Sequence, residues 1–259
     1  MKDSRHQRFP MFHDVESVIF CDESKYSIKD NNAEDAVYYF AIIVPKSLIK
    51  TVTKEFESLY AAEAIQAPIF HAKKIFKSRH PRLRFMGALT NLLIEFRLYA
   101  LCFKYDRSKL YEAAKIAFEH FNDGNLIDFN NPEFQALTFF GSLLDAELRS
   151  RKRHMVQGKC ILFFEANVYG RERTEEMGFG DDEMVVKRVV FLLREKVKLM
   201  ALPDFVGYIF RLSKISHNDA QIGKAGLESN PMVIYAWTCL IRLKEEGLFH
   251  FLDIDDWLQ

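Results

Sequence analysis

Short apolar runs broken by polar turns set the pattern of this chain. Residues 17–21 (SVIFC) form a continuous apolar run of the kind that makes a buried strand, and it stops abruptly at Asp22-Glu23-Ser24. After the polar stretch 25–35, residues 36–44 (AVYYFAIIV) are β-branched and aromatic and end at Pro45. The two runs predict an antiparallel hairpin with a long connection. Residues 97–105 (RLYALCFKY), 160–164 (CILFF) and 205–212 predict further strands. Helical spacing appears at Leu48, Val52, Phe56, Leu59 and Tyr60. It returns at Leu83, Met86, Leu89, Leu93 and Phe96, after Pro81 as a helix opener. Residues 108–121 predict a helix, and Asn131-Pro132 starts another that runs to about 149. Residues 182–198 read as a helix from Val186, Val189, Val190, Leu193 and Val197. A short helix is expected over 219–228 and a clearer one over 231–246.

No repeat, low-complexity tract or linker interrupts this order. The pattern predicts an α/β fold, a mixed sheet with helices on its faces, in one domain over 15–259 after a loose polar arm at 1–14.

Composition narrows the class. The 259 residues are 49% hydrophobic and 28% charged, which excludes a disordered chain. The 24 Phe predict a core rich in rings. Lys plus Arg and Asp plus Glu are 36 each, so nothing marks the whole chain as a polycation. Cys21, Cys102, Cys160 and Cys239 form no CxxC and are expected as buried, reduced thiols of a cytoplasmic protein. The basic N-terminus lacks an apolar core, and no apolar stretch reaches about 18 residues; neither a secretory signal nor a membrane span is expected.

The chemistry concentrates at strand ends. Asp22, with Glu23 beside it, closes the first apolar run, and Glu165 closes CILFF. A carboxylate at the end of a buried strand is costly unless paired. Two on neighbouring strands invite a hard divalent cation. The alternative is that each simply leaves the sheet for water. Two basic runs are suited to a polyanion: 71–84, with Lys73, Lys74, Lys77, Arg79, Arg82 and Arg84, and 149–154 (RSRKRH) at a helix C-terminus, where cations match the helix dipole anyway. P-loop, dinucleotide-binding, nucleophile-elbow and zinc-protease motifs are absent.

Asp22-Glu23-Ser24 followed by YYFAIIV resembles the start of the DUF3800 family. Phe70-His71-Ala72-Lys73 matches the family's HA-type element, Glu165 its later strand-end acid, Leu212-Ser213-Lys214 its Asp-Ser-Lys strand end, and Gln221-Ile222-Gly223-Lys224 its Q-x-A-D helix. The likeness covers residues 16–243. It implies an RNase H-like fold with helices on both faces of the sheet, and metal-dependent cleavage of DNA or RNA, in a setting such as defence against phage or mobile elements. It further implies Mg²⁺ or Mn²⁺ as cofactor, held by Asp22 and Glu165, with His71 as proton shuttle or phosphate contact. Two departures stand out: Leu212 and Lys224 replace family acids. Asp219 or Glu228 is then the third metal ligand, or the Lys224 ammonium fills an ion site. Glu23, Ser24, Ser213 and Gln221 are expected around the ligands, and Lys214 joins Lys73, Lys74, Lys77, Arg79 and Arg82 against nucleic acid. The alternative is a catalytically silent subunit that binds nucleic acid, a protein partner or a second copy of itself.

Overall fold

The computed structural model describes residues 14–26, 36–76, 82–106, 109, 112, 132–150, 152–165, 174–175, 183–221 and 230–253. Their strands are β1 (Ser17–Tyr26), β2 (Ala36–Pro45), β3 (Tyr99–Asp106), β4 (Cys160–Glu165), β5 (Thr174–Glu175), β6 (Val186–Leu192) and β7 (Phe249–Asp253). Their helices are α1 (Ile49–Ala62), α2 (Ala72–Phe76), α3 (Leu83–Glu95), α4 (Pro132–Ser150), α5 (Ala201–Gln221) and α6 (Pro231–Glu245). The strands form one mixed sheet in the order β5-β6-β4-β1-β2-β3-β7. β1, β2 and β3 run antiparallel in sequence, as the hairpin reading requires. β4 is parallel to β1, β6 to β4 and β7 to β3.

The sheet is buried on both faces, so its strands read as continuous apolar runs rather than alternating ones. Alternate residues enter different cores. Val18, Phe20, Ile161, Phe163, Val190 and Leu192 pack with α1, α3, α5 and α6. Ile19, Cys21, Leu162, Phe164 and Phe191 pack with Leu137, Phe140, Leu144 and Leu148 of α4. Phenylalanines fill both: Phe140 stacks on Tyr39 at 4.5 Å between centroids, and Phe76 packs on Phe85 at 5.8 Å. The four cysteines are buried and free. Among the described residues, no helix is long and apolar enough to cross a membrane.

Two expectations exchange places. Residues 182–198, read as a helix, contain strand β6. Val186, Val189 and Val190 mimic helical spacing only because a strand covered on both faces has apolar residues at every parity. Residues 205–212, read as a strand, lie in α5. Every residue from Phe205 to Phe210 is buried, so no 3.6-residue period shows within the segment, and its aromatic and β-branched composition mimics a buried strand. Pro203 sits in the first turn, where it removes no helical hydrogen bond. The apolar segment 248–252 supplies β7, for which no strand was expected. The helix expected at 108–121 lies, but for residues 109 and 112, outside the described residues, as do the 1–13 portion of the arm and residues 222–228.

Candidate functional site

Strand parity brings the two strand-end acids together. β1 and β4 are parallel neighbours with Phe20 opposite Phe163. Two residues further on lie Asp22 and Glu165, on the face that carries Phe20 and Phe163. β6 lies on the other side of β4, with Leu192 opposite Glu165. Two residues beyond Leu192, on the same parity, is Arg194. The first turn of α5 crosses this corner and contributes Asp204.

Arg194 joins the three carboxylates. Its Nη2 donates to Asp22 Oδ1 at 2.9 Å, and its Nη1 donates to Asp204 Oδ2 at 2.7 Å. Its Nε lies 2.8 Å from Glu165 Oε2, an ion pair without hydrogen-bond alignment. Nη1 also reaches the Phe70 carbonyl and His71 Nδ1, each at 3.3 Å. The Arg194 side chain is 6% exposed, and those of its three partners 15–20%. Asp204 Oδ2 accepts a second bond from the Ala72 backbone N–H at 3.1 Å, so one carboxylate ties α5, the β6 exit and the start of α2 together.

Charge governs the site. Burial, with the Asp204 and Glu165 charges added, outweighs the Arg194 guanidinium and lifts the Asp22 carboxyl to about 7. Burial disfavours charge on Arg194 as well, but the three carboxylates outweigh it and raise its pKa. The guanidinium therefore stays charged.

The other expected site residues divide. His71 belongs to the site. Lys73 and Lys74 follow on α2 and are exposed. Glu23 takes the opposite parity to Asp22, toward the α4 side of the sheet. Ser213 donates to the Ile209 carbonyl in its own helix at 2.8 Å, and Lys214 donates to Tyr38 Oη at 2.7 Å beneath the Phe210 ring. They lie nine and ten residues past Asp204, roughly 14 Å and more along the helix. The correspondence of Leu212-Ser213-Lys214 to a strand end therefore fails, since all three are helical. Asp219 and Gln221 are in the last turns of α5, roughly 22 Å or more from Asp204 along its axis, too far to join Asp22 and Glu165. The third carboxylate is Asp204. The side chain of Ser24 and all of Lys77, Arg79, Lys224 and Glu228 lie outside what the structure describes. Arg82 donates to the Glu63 carbonyl at 3.4 Å. In the second basic run, Arg149 pairs with Asp145 at 2.7 Å and Arg153 with the Gly158 carbonyl at 3.3 Å, as a helix end held by its own cations.

Sequence reasoning missed Arg194 and Asp204. Their signal was present: an Arg on the parity of Val190 and Leu192 just past a strand, and an Asp in the first turn of the next helix. Reading 182–198 as a helix concealed the first, and reading 205–212 as a strand concealed the second.

Carboxylates from two strands and a helix are the donor set that a hard cation prefers. The residues present do not fit one as arranged, because the Arg194 guanidinium lies among the acids. Among the described residues, no group of three His, Cys, Asp or Glu side chains is placed to hold a metal ion. Comparison with family models, with curated proteins and with solved structures found no match.

Proposed function

We propose that this chain is an RNase H-like protein that binds nucleic acid without cleaving it, with Arg194 standing where a nuclease of that kind holds its ions. The single observation behind this reading is the guanidinium paired with Asp22, Glu165 and Asp204. A permanent cation at that point neutralises part of the acid cluster and cross-links β1, β4, β6 and α5. The mixed sheet, antiparallel through β1–β3 and parallel from β1 to β4 and β6, suits the architecture that the DUF3800 resemblance implies. On that resemblance the Asp-Ser-Lys strand end becomes Arg194-Glu195-Lys196, and the Q-x-A-D helix becomes Ala201-Leu202-Pro203-Asp204. The last acid is then present, and the acid of the strand end is an arginine. Exposed Lys73, Lys74, Lys196 and Lys198 flank the centre and suit phosphates.

A second reading, metal-dependent phosphodiester hydrolysis with Mg²⁺ or Mn²⁺, is favoured by one feature. Three carboxylates against one guanidinium leave the centre net negative. Incubation of the purified chain with single- and double-stranded DNA and RNA, with Mg²⁺, Mn²⁺ or EDTA, separates the two. The binding reading expects retarded polynucleotide in every condition and no cleavage. Cleavage that needs the metal and disappears in Asp22→Asn and Glu165→Gln would establish the nuclease instead. Arg194→Gln extends the test: on the binding reading, removing the cation raises the affinity of the acids for Mn²⁺, read by calorimetry, against no binding in the parent.

A further inference from the structure

Beside the acid centre, between α1 with residues 65–70 on one side and Arg194, Glu195, Lys198 and Ala201 on the other, lies a cavity of about 330 Å³. That is the lower end of the range, roughly 300–1,000 Å³, in which proteins hold small organic groups. One wall is aromatic. Tyr60 stacks on Phe56 with centroids 5.8 Å apart, and Phe70 meets Phe56 edge-on at 5.9 Å. The Tyr60 hydroxyl donates to the Ala67 carbonyl at 2.7 Å, which fixes the ring in the wall. The mouth carries three exposed charged side chains, Glu57, Glu195 and Lys198. Arg194 reaches the cavity too, but its charge is matched within the acid centre.

The geometry points to this cavity as the seat of a single nucleobase, stacked on the Tyr60 ring, with the Phe70 ring tilted 50° to it behind and the base's polar edge toward Glu57, Glu195 and Lys198. The assignment rests on the nucleic-acid reading above. Other occupants match the lining less well. An aliphatic group would leave the charged mouth without partners. A phosphate would face two carboxylates. A sugar would turn hydroxyls toward Ile65, Pro68 and Ile69, which offer them no side-chain hydrogen bond. A base has a flat π surface for the rings and a mixed edge, amino or imino N–H groups for the carboxylates and a carbonyl for the lysine. One base held here places its own strand beside Lys73, Lys74 and the acid centre.

The test titrates the full chain with the four nucleoside 5′-monophosphates, with a short single-stranded oligonucleotide and with its abasic counterpart, read by calorimetry and saturation-transfer NMR. Ala61→Trp grows an indole from an exposed position of α1 that lines the cavity. Glu57→Gln combined with Glu195→Gln alters only the mouth, at exposed positions. Mononucleotides are expected to bind the parent and to bind Ala61→Trp about 5- to 150-fold more weakly, the equivalent of one stacked base. The double Gln variant is expected to change the order of preference among the four bases. Absence of mononucleotide binding, or binding unaltered in a folded Ala61→Trp, overturns the assignment. If Ala61→Trp does not fold, unchanged affinity and preference in the double Gln variant overturn it. Equal retention of the normal and abasic oligonucleotides, with no response to either variant, also overturns it, and leaves the nucleic-acid reading in place. Cavity-dependent binding of mononucleotides without binding of the oligonucleotide supports the pocket and removes that reading.

Discussion

At Asp22 burial and the Arg194 charge act in opposite directions, and the balance sets a pH dependence. The carboxyl rises from an ordinary 3.8 to about 7, driven first by burial. Below about pH 4 the folded and unfolded chains both hold the proton, and Asp22 adds nothing to the pH dependence. Between about 4 and 7 only the folded chain keeps it, so raising the pH favours unfolding by up to about 1.4 kcal/mol per pH unit. Above about 7 both forms are ionised and the penalty is constant. Urea unfolding of the parent should therefore show stability falling from pH 5 to 7 and then levelling. Asp22→Asn, which keeps an Oδ1 acceptor for Arg194, should lack that fall. Equal slopes in the two proteins would mean that Asp22 is already ionised at pH 5. The same residue shows why the guanidinium is there: without it, three carboxylates would share one corner of the sheet, each raising the pKa of the others.

At the scale of elements, the site depends on how closely α5 lies on the sheet. Gly207, one turn after Asp204, faces Phe40 of β2; a Cβ there would stand 3.0 Å from Phe40 Cδ2 and 3.1 Å from Cε2. Phe40 is 1% exposed and has no room to retreat. Overpacking in Gly207→Ala should cost about 1–3 kcal/mol. The helix propensity of alanine returns up to about 1 kcal/mol, so the net destabilisation expected is about 1–2 kcal/mol. Urea unfolding checks this, and a variant as stable as the parent would show that α5 can lift away. The lift would also lengthen the Asp204–Arg194 contact. Neighbouring elements are joined in the same way on the α4 side, where the buried Asp145 accepts the Val185 and Val186 N–H groups at 2.7 and 2.8 Å and fixes the start of β6.

For the molecule as a whole, equal numbers of acids and bases mean that any hold on a polyanion comes from a local patch rather than from net charge. Lys73 and Lys74, exposed and just after His71, are one such patch beside the centre. Affinity for a single-stranded oligonucleotide should then fall with salt on a log–log plot. Lys73→Ala combined with Lys74→Ala should flatten the slope by about 0.7 for each phosphate that the lysines no longer neutralise. Fluorescence anisotropy over a salt series measures it. An unchanged slope would move the phosphate path to another face.

The chain itself determined the strands at 17–21, 36–44, 97–105 and 160–164, the helices around α1, α3, α4 and α6, and the placing of Asp22 and Glu165 at strand ends, because continuous apolar runs and the acids that stop them are local properties. It could not separate β6 from a helix or α5 from a strand. A strand covered on both faces loses its alternation, and a helix rich in Phe, Val and Ile resembles one. What covers a segment is a tertiary fact. Tertiary structure alone decided that the acids meet Arg194. The side chains concerned lie at residues 22, 165, 194 and 204, and only the parallel stacking of β1, β4 and β6 under the first turn of α5 brings their charges within 3 Å of one guanidinium.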